Sequence, residues 1–253
     1  MVKIVLDAGH GKNTSGKRSP DGRIREWNIN EAVRKKVEEK LKQYEDVSIL
    51  TVSDKTGNSD ISLNNRTSKA NSWKADAYIS IHHNAYGSGW NSASGVETFV
   101  YKSRPKESVR LAQYVHDELV KRTGLKNRGV KASNLHVTRE TNMPAILIEG
   151  GFMTNKDEAA LMETESYQEA MATAIVNGID KYFNLKKKAV SKEEPARKSS
   201  SKSSNAALYR VQVGAFGVKG NAETLAKQIE SKTDYNAIAV SYTHLTLPTM
   251  AVV

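Results

Sequence analysis

The chain has 253 residues, 38% of them hydrophobic and 26% charged, a formal net charge of +10 and no cysteine. That length holds one large domain, or an ordinary domain plus a smaller module, and either can bury a core. The missing cysteines exclude disulfides, thiolate metal ligands and a cysteine nucleophile, so any metal has to be held by histidine and carboxylate.

Lys3-Ile4-Val5-Leu6 reads as a first strand, and Asp7-Ala8-Gly9-His10-Gly11 follows it. The first apolar run stops at Asp7 and does not become a signal-peptide core, and no run reaches the roughly 18–20 residues of a membrane span, so no membrane insertion is expected. Glycines on both sides of His10 let the backbone bend sharply and present the imidazole to a cleft, although a turn whose histidine faces solvent fits the same residues. The polar loop running on to about Arg25 is long, and long loops in compact domains tend to carry function.

A helix is predicted from Trp27 to Tyr44, with Ile29, Val33, Val37 and Leu41 as its buried stripe. Glu26 stands at its start, where a carboxylate suits the helix dipole whatever else it does. A strand over 47–52 and a helix from Ser62 to about Trp73 come next. Ala77–His82 is nearly all apolar, as expected of a strand buried on both faces in a parallel sheet, and it ends in His82-His83-Asn84.

The run from Gly95 to Tyr101 predicts a strand with Glu97 and Phe99 on one face and Val96, Thr98 and Val100 on the other. A helix over 107–122 buries Leu111, Val115 and Leu119, with His116 at its flank. Leu135–Arg139 reads as a short strand near the cleft, its His136 better suited to lining a pocket than to holding a metal. Met143–Phe152 is a third apolar strand ending in a polar side chain, Glu149, just before two glycines. A short helix over 155–162 and a long one over 166–183 complete residues 1–185. Alternating strands and helices define an α/β domain with its site at the carboxyl edge of the sheet.

Residues 186–207 are rich in Lys, Ser and Glu, have no core-building period, and read as a basic flexible linker. Between 186 and 202, seven cations stand against Glu193 and Glu194, which is +5 of the +10. The charge favours an anionic partner, whether nucleic acid, an acidic membrane surface or an anionic polymer such as a cell wall, and with the basicity concentrated in this stretch nucleic-acid binding by a folded basic face is the less expected of these. Residues 208–253 hold a strand alternating at period two (Leu208–Phe216) and a helix over 221–232, a small α+β module that Ser241–Val253 does not continue.

His10, Glu26 and His82 make a set of two imidazoles and one carboxylate, which suits a catalytic zinc ion keeping a fourth position for water. Glu149 is then the natural general base. Their spacing is not a local motif, so the set is an expectation about folding.

Five segments together, Asp7–Gly11, Glu26, Ser80–Asn84, Gly95–Thr98 and Pro144–Phe152, resemble the zinc-dependent N-acetylmuramoyl-L-alanine amidases of the amidase-3 type, over residues 2 to about 184. The resemblance implies Zn2+ on His10, Glu26 and His82, and Glu149 as the catalytic glutamate. It implies a three-layer domain, a mostly parallel sheet flanked by helices, and a peptidoglycan substrate cut between N-acetylmuramic acid and the L-alanine of the stem peptide. Two departures stand out: Lys12 takes the place of a second glycine, and His83 directly follows His82, so that a ligand swap is conceivable, although strand alternation and the motif favour His82. Tyr209–Phe216 and the helix after it are similar to the first half of a SPOR domain, a peptidoglycan-binding repeat, so residues 208–253 are expected to be a partial, truncated module with an atypical tail. Action on the wall as a monomer is expected, from a phage lysin or a bacterial autolysin. A zinc peptidase cutting within the stem peptide and a non-catalytic wall-binding protein are the alternatives.

Overall fold

The structure, a computed structural model, describes residues 1–188 and 223–226. The chain divides into two units, Met1–Ser191 and Lys192–Val253. In the second, the described residues are one helical turn at 223–226. The expectations of a linker over 186–207, a truncated module and an atypical tail lie almost wholly outside the described residues.

The first unit runs β1 (Val2–Ala8), α1 (Glu26–Leu41), β2 (Val47–Thr51), α2 (Leu63–Ser72), β3 (Ala77–Asn84), β4 (Val96–Tyr101), α3 (Lys106–Thr123), β5 (Asn127–Ser133), α4 (His136–Arg139), β6 (Ala145–Phe152), α5 (Lys156–Met162) and α6 (Glu165–Phe183). The strands form one sheet in the order β2-β1-β3-β6-β4-β5. From β2 to β6 every pairing is parallel. β4 lies antiparallel on β6, and β5 runs parallel to β4.

Strand alternation sorts the core into two layers. Ile4, Leu6, Ile79, Ile81, Ile146 and Ile148 face the stripes of α1, α3 and α6, among them Val33, Val37, Leu111, Val115, Met171 and Ile175. Their neighbours Val5, Tyr78 and Leu147 face the other way, onto Ala70 of α2 and Val137 of α4. The three-layer α/β architecture is therefore that of a mostly parallel sheet with helices on both faces.

Two local expectations are corrected, and one strand lies where none was expected. Leu135–Arg139 is not a strand: His136–Arg139 is a single helical turn. The seven residues of β5 had no prediction at all. His116 is not on a flank but 1% exposed, with its ring nitrogens on Thr98 Oγ1 at 3.1 Å and Asn127 Oδ1 at 2.9 Å. Helix α3 thereby fastens to β4 and β5.

Candidate metal centre

Parallel strands deliver their last residues to one edge. In register, His82 of β3 lies beside Glu149 of β6, and Glu149 lies beside Glu97 of β4. β1 ends one residue before Gly9, and α1 begins at Glu26, so His10 and Glu26 reach the same place from the next strand and its crossover.

Glu26 sits between the two imidazoles. Its Oε1 is 2.9 Å from His82 Nδ1, and its Oε2 is 3.4 Å from His10 Nε2. The two rings meet edge to face, with centroids 4.9 Å apart. One donor atom each from His10, Glu26 and His82 lies within 4.8 Å of the others. Gly9 is what allows this: a Cβ there would come within 2.1 Å of the His82 ring. Contrary to the flexible-glycine expectation, the left-handed residue of the turn is His10 itself, at φ 66°.

Electrostatics separates the groups. Burial, together with the neighbouring His82, lowers the His10 pKa to about 4, against the pull of Glu26. Burial would raise Glu26, but the hydrogen bond and charge of His82, with His10 and Lys17, bring it down to about 2. For His82 burial is also the largest single influence, and it is outweighed by Glu26, so the pKa rises. Burial pushes Glu149 up to about 8, and the charges of Glu26 and Glu97 add to the rise.

Two buried polar atoms here have no hydrogen-bond partner, His10 Nε2 and Glu149 Oε2. An orphaned imidazole nitrogen facing an ionised carboxylate is a donor set that a divalent cation completes, since buried polar atoms otherwise find partners. The residues present therefore fit a metal at His10, Glu26 and His82. Asp7, Gly9, His10, Asp60, Ile61, Ser62, Leu63, Arg66 and His82 line a cleft of about 350 Å³.

His83 turns to the opposite face, away from this group. Its Nδ1 is 2.8 Å from Asn30 Oδ1, and its Nε2 is 2.9 Å from the Tyr167 hydroxyl, which donates to Gly150 O at 2.5 Å. Asn30 Nδ2 donates to Gly9 O at 3.2 Å. This buried network ties β1, α1, β3, β6 and α6 together behind the site. His136 stands with its Nε2 3.3 Å from Thr67 Oγ1, and it does not line the cleft. Sequence reasoning missed Asn30, Tyr167, Arg66 and Lys17, whose Nζ is 3.9 Å from Glu26 Oε2. Only the polar Asn30, one residue after the apolar Ile29 on the buried side of α1, left a signal that could have been followed.

A polar triad of donors with an adjacent unpartnered carboxylate, at the carboxyl edge of a parallel sheet, is a donor set able to hold a divalent cation beside a carboxyl able to exchange a proton. The family described as N-acetylmuramoyl-L-alanine amidase matches residues 4–181, and the SPOR domain matches residues 186–245. The chain belongs to the N-acetylmuramoyl-L-alanine amidase family. It is 34% identical over 232 residues to the N-acetylmuramoyl-L-alanine amidase CwlM of Bacillus licheniformis, covering 92% of this chain and 82% of that one. It is 40% identical over 197 residues to the endolysin of Bacillus phage SPP1, covering 75% of this chain and 69% of the endolysin. Among solved structures, the N-acetylmuramoyl-L-alanine amidase from Clostridium difficile 630 matches with a TM-score of 0.68 and 36% identity, over 72% of this chain and 97% of that one.

Proposed function

We propose that this chain hydrolyses peptidoglycan at the amide between the lactyl group of N-acetylmuramic acid and the L-alanine of the stem peptide, with zinc held by His10, Glu26 and His82 and with Glu149 as general base. The observation that carries the reading is the buried, unpartnered Glu149 Oε2 next in register to His82. Zinc in such a set supplies a Lewis acid for a scissile carbonyl and acidifies water.

The chain's own residues do the rest. His10, with its pKa lowered to about 4, is neutral and free to ligate through the whole working range of pH. Glu26 remains ionised over the same range and gives the site its negative charge. Burial raises Glu149 to about 8, and positive charge at the neighbouring ligands would bring it down to where, ionised and with no hydrogen-bond partner on Oε2, it takes a proton from the attacking water and returns it to the leaving alanine nitrogen. The SPOR match supports retention of the enzyme on the wall, with anionic wall polymers as further contacts for the basic segment at 186–202.

Digestion of purified walls tests the reading. New L-alanine amino groups and intact glycan are expected, with activity abolished by a chelator and restored by zinc. New reducing ends would indicate a glycosidase, and cleavage products with alanine still on the lactyl group would indicate a peptidase.

A further inference from the structure

We propose that Arg66, Asp60 and Thr14 form a brace that sets how tightly the site holds its metal by fixing the backbone turn of His10. The inference rests on the metal reading of His10, Glu26 and His82. None of the three needs to touch the metal: they are positioning residues.

His10 adopts a left-handed conformation, with φ 66°. For a residue other than glycine this is sparsely populated, and it persists only where the surroundings over-determine it. The guanidinium of Arg66, 1% exposed and reaching in from α2, provides that constraint. Its Nη2 donates to the carbonyl of His10 at 3.2 Å, and its Nη1 to the carbonyl of Ala8 at 2.8 Å, so one planar group grips the chain on both sides of Gly9. Its Nε donates to Ile61 O at 2.7 Å.

The same guanidinium extends in two directions. Through Nη1 it binds the Asp7 carboxylate, whose Oδ2 also accepts the Tyr78 and Ser80 hydroxyls of β3 at 2.9 Å each. Ser80 is two residues before His82, so the strands carrying both imidazoles are tied to one point. Through Nη2 it donates to Asp60 Oδ1 at 3.0 Å. Asp60 Oδ2 accepts from the Thr14 hydroxyl at 2.7 Å, and Thr14 Oγ1 in turn accepts the Gly11 N–H at 3.0 Å. The contacts close a ring: Arg66, Asp60, Thr14, Gly11, His10 and back to Arg66.

If the ring opens, His10 relaxes towards ordinary backbone angles, and a metal has to reorder it on binding. Affinity then falls while the fold, which has its core elsewhere, remains. Arg66→Lys keeps the charge and loses the fork, but it leaves a buried Asp7 poorly matched and risks the fold. Thr14→Val and Asp60→Ala avoid that risk, because both residues are partly exposed and Val is close to Thr in shape.

The test measures three things on the full chain: the zinc dissociation constant by competition with a chromophoric chelator, the visible spectrum of the cobalt form, and the melting temperature of the metal-free protein. Thr14→Val and Asp60→Ala are expected to weaken zinc binding about tenfold, the lower end for outer residues that orient ligands, and to alter the cobalt spectrum. Metal-free melting is expected to match the parent, and Thr14→Ser, which keeps the hydroxyl, is expected to behave like the parent in all three. Unchanged zinc affinity and cobalt spectrum in both variants would overturn the brace. So would a loss of affinity matched by an equal loss of metal-free stability, or a Thr14→Ser protein as impaired as Thr14→Val. A parent that binds no zinc would overturn the metal reading first, and the brace with it.

Discussion

Glu97 and Glu149 face each other as direct register partners on the neighbouring strands β4 and β6, and they live in opposite surroundings. Glu97 accepts from Asn84 Nδ2 at 2.7 Å and Arg128 Nε at 2.8 Å, and it pairs with Lys131 as well. Burial would raise its pKa, but Lys131 and Arg128 outweigh burial and hold it below the usual carboxylate range. The Oε2 of Glu149 has no partner, and burial takes its carboxyl up to about 8. The direction of the strands produces the contrast. β6 runs with β3 and brings its carboxylate to the edge near its end, whereas β4 runs the other way and brings its second residue to the same edge. β5, parallel to β4, brings Arg128 and Lys131 there too. With both cations engaged by Glu97, Glu149 is left unpaired, as the role of general base proposed for it requires. Two neighbouring carboxyls whose pKa values are driven apart are a sign of divided roles.

The largest effect should come from removing the free member of the pair. Glu149→Gln is expected to lower wall hydrolysis by about 10²–10⁴-fold while zinc content stays at the parent level, measured by amine release and by metal analysis. Activity near that of the parent would remove Glu149 as the base. The same variant should sharpen the comparison through stability. Because the folded pKa of Glu149 is raised, the folded chain binds that proton more tightly than the unfolded one. This contribution is full below the ordinary glutamate value of 4.5 and is lost as pH rises through about 8. In a chelator, Glu149→Gln should therefore out-melt the parent by more near pH 8 than near pH 5, and a gap independent of pH would show that Glu149 is not strained by burial.

Next in size is the other member. Glu97→Gln removes the charge that Arg128 and Lys131 hold, leaving two cations next to the site, so a drop in melting temperature is expected, together with roughly tenfold lower activity. Because the Glu97 charge is one of the influences raising Glu149, its loss should move the acid limb of the rate profile to lower pH.

How much of this could be read in the sequence depends on what each part of the fold uses to hold itself. β1, β3 and β6 bury both faces, so their apolar runs were plain, and their polar last residues marked the edge where His82 and Glu149 now lie side by side. The stripe of α1 was equally plain, because Ile29, Val33, Val37 and Leu41 are all buried. β5 was invisible for the opposite reason: Asn127–Ser133 is an edge strand whose residues other than Val130 are polar or small, none of them fully buried, so it has no period to detect. The reversal of β4 left no trace, since alternation is the same in both directions. α4 was mistaken for a strand because four residues are too few to distinguish the two periods. Arg66 escaped because an arginine inside a polar helix reads as a solvated face, and only the tertiary fold shows its fork closed around the His10 turn.

The smallest expected effect discriminates best. Lys131→Met removes one of the cations on Glu97 and leaves Arg128 and Asn84 in place. The lysine side chain is 38% exposed, so its pair is partly screened by solvent and the stability change should stay within about 1 kcal/mol. Glu97 then carries a less neutralised charge beside Glu149, which makes ionising Glu149 harder. The acid limb should move to higher pH, opposite in sign to Glu97→Gln, and metal loading should lower both limbs by adding positive charge at the neighbouring ligands. Opposite shifts in the two variants, read from the rate of amine release against pH, require the two carboxyls to act on each other through charge. If both variants moved the limb the same way, the effect of Glu97 would be on local structure instead, and the division of roles between the pair would have to be explained by the metal alone.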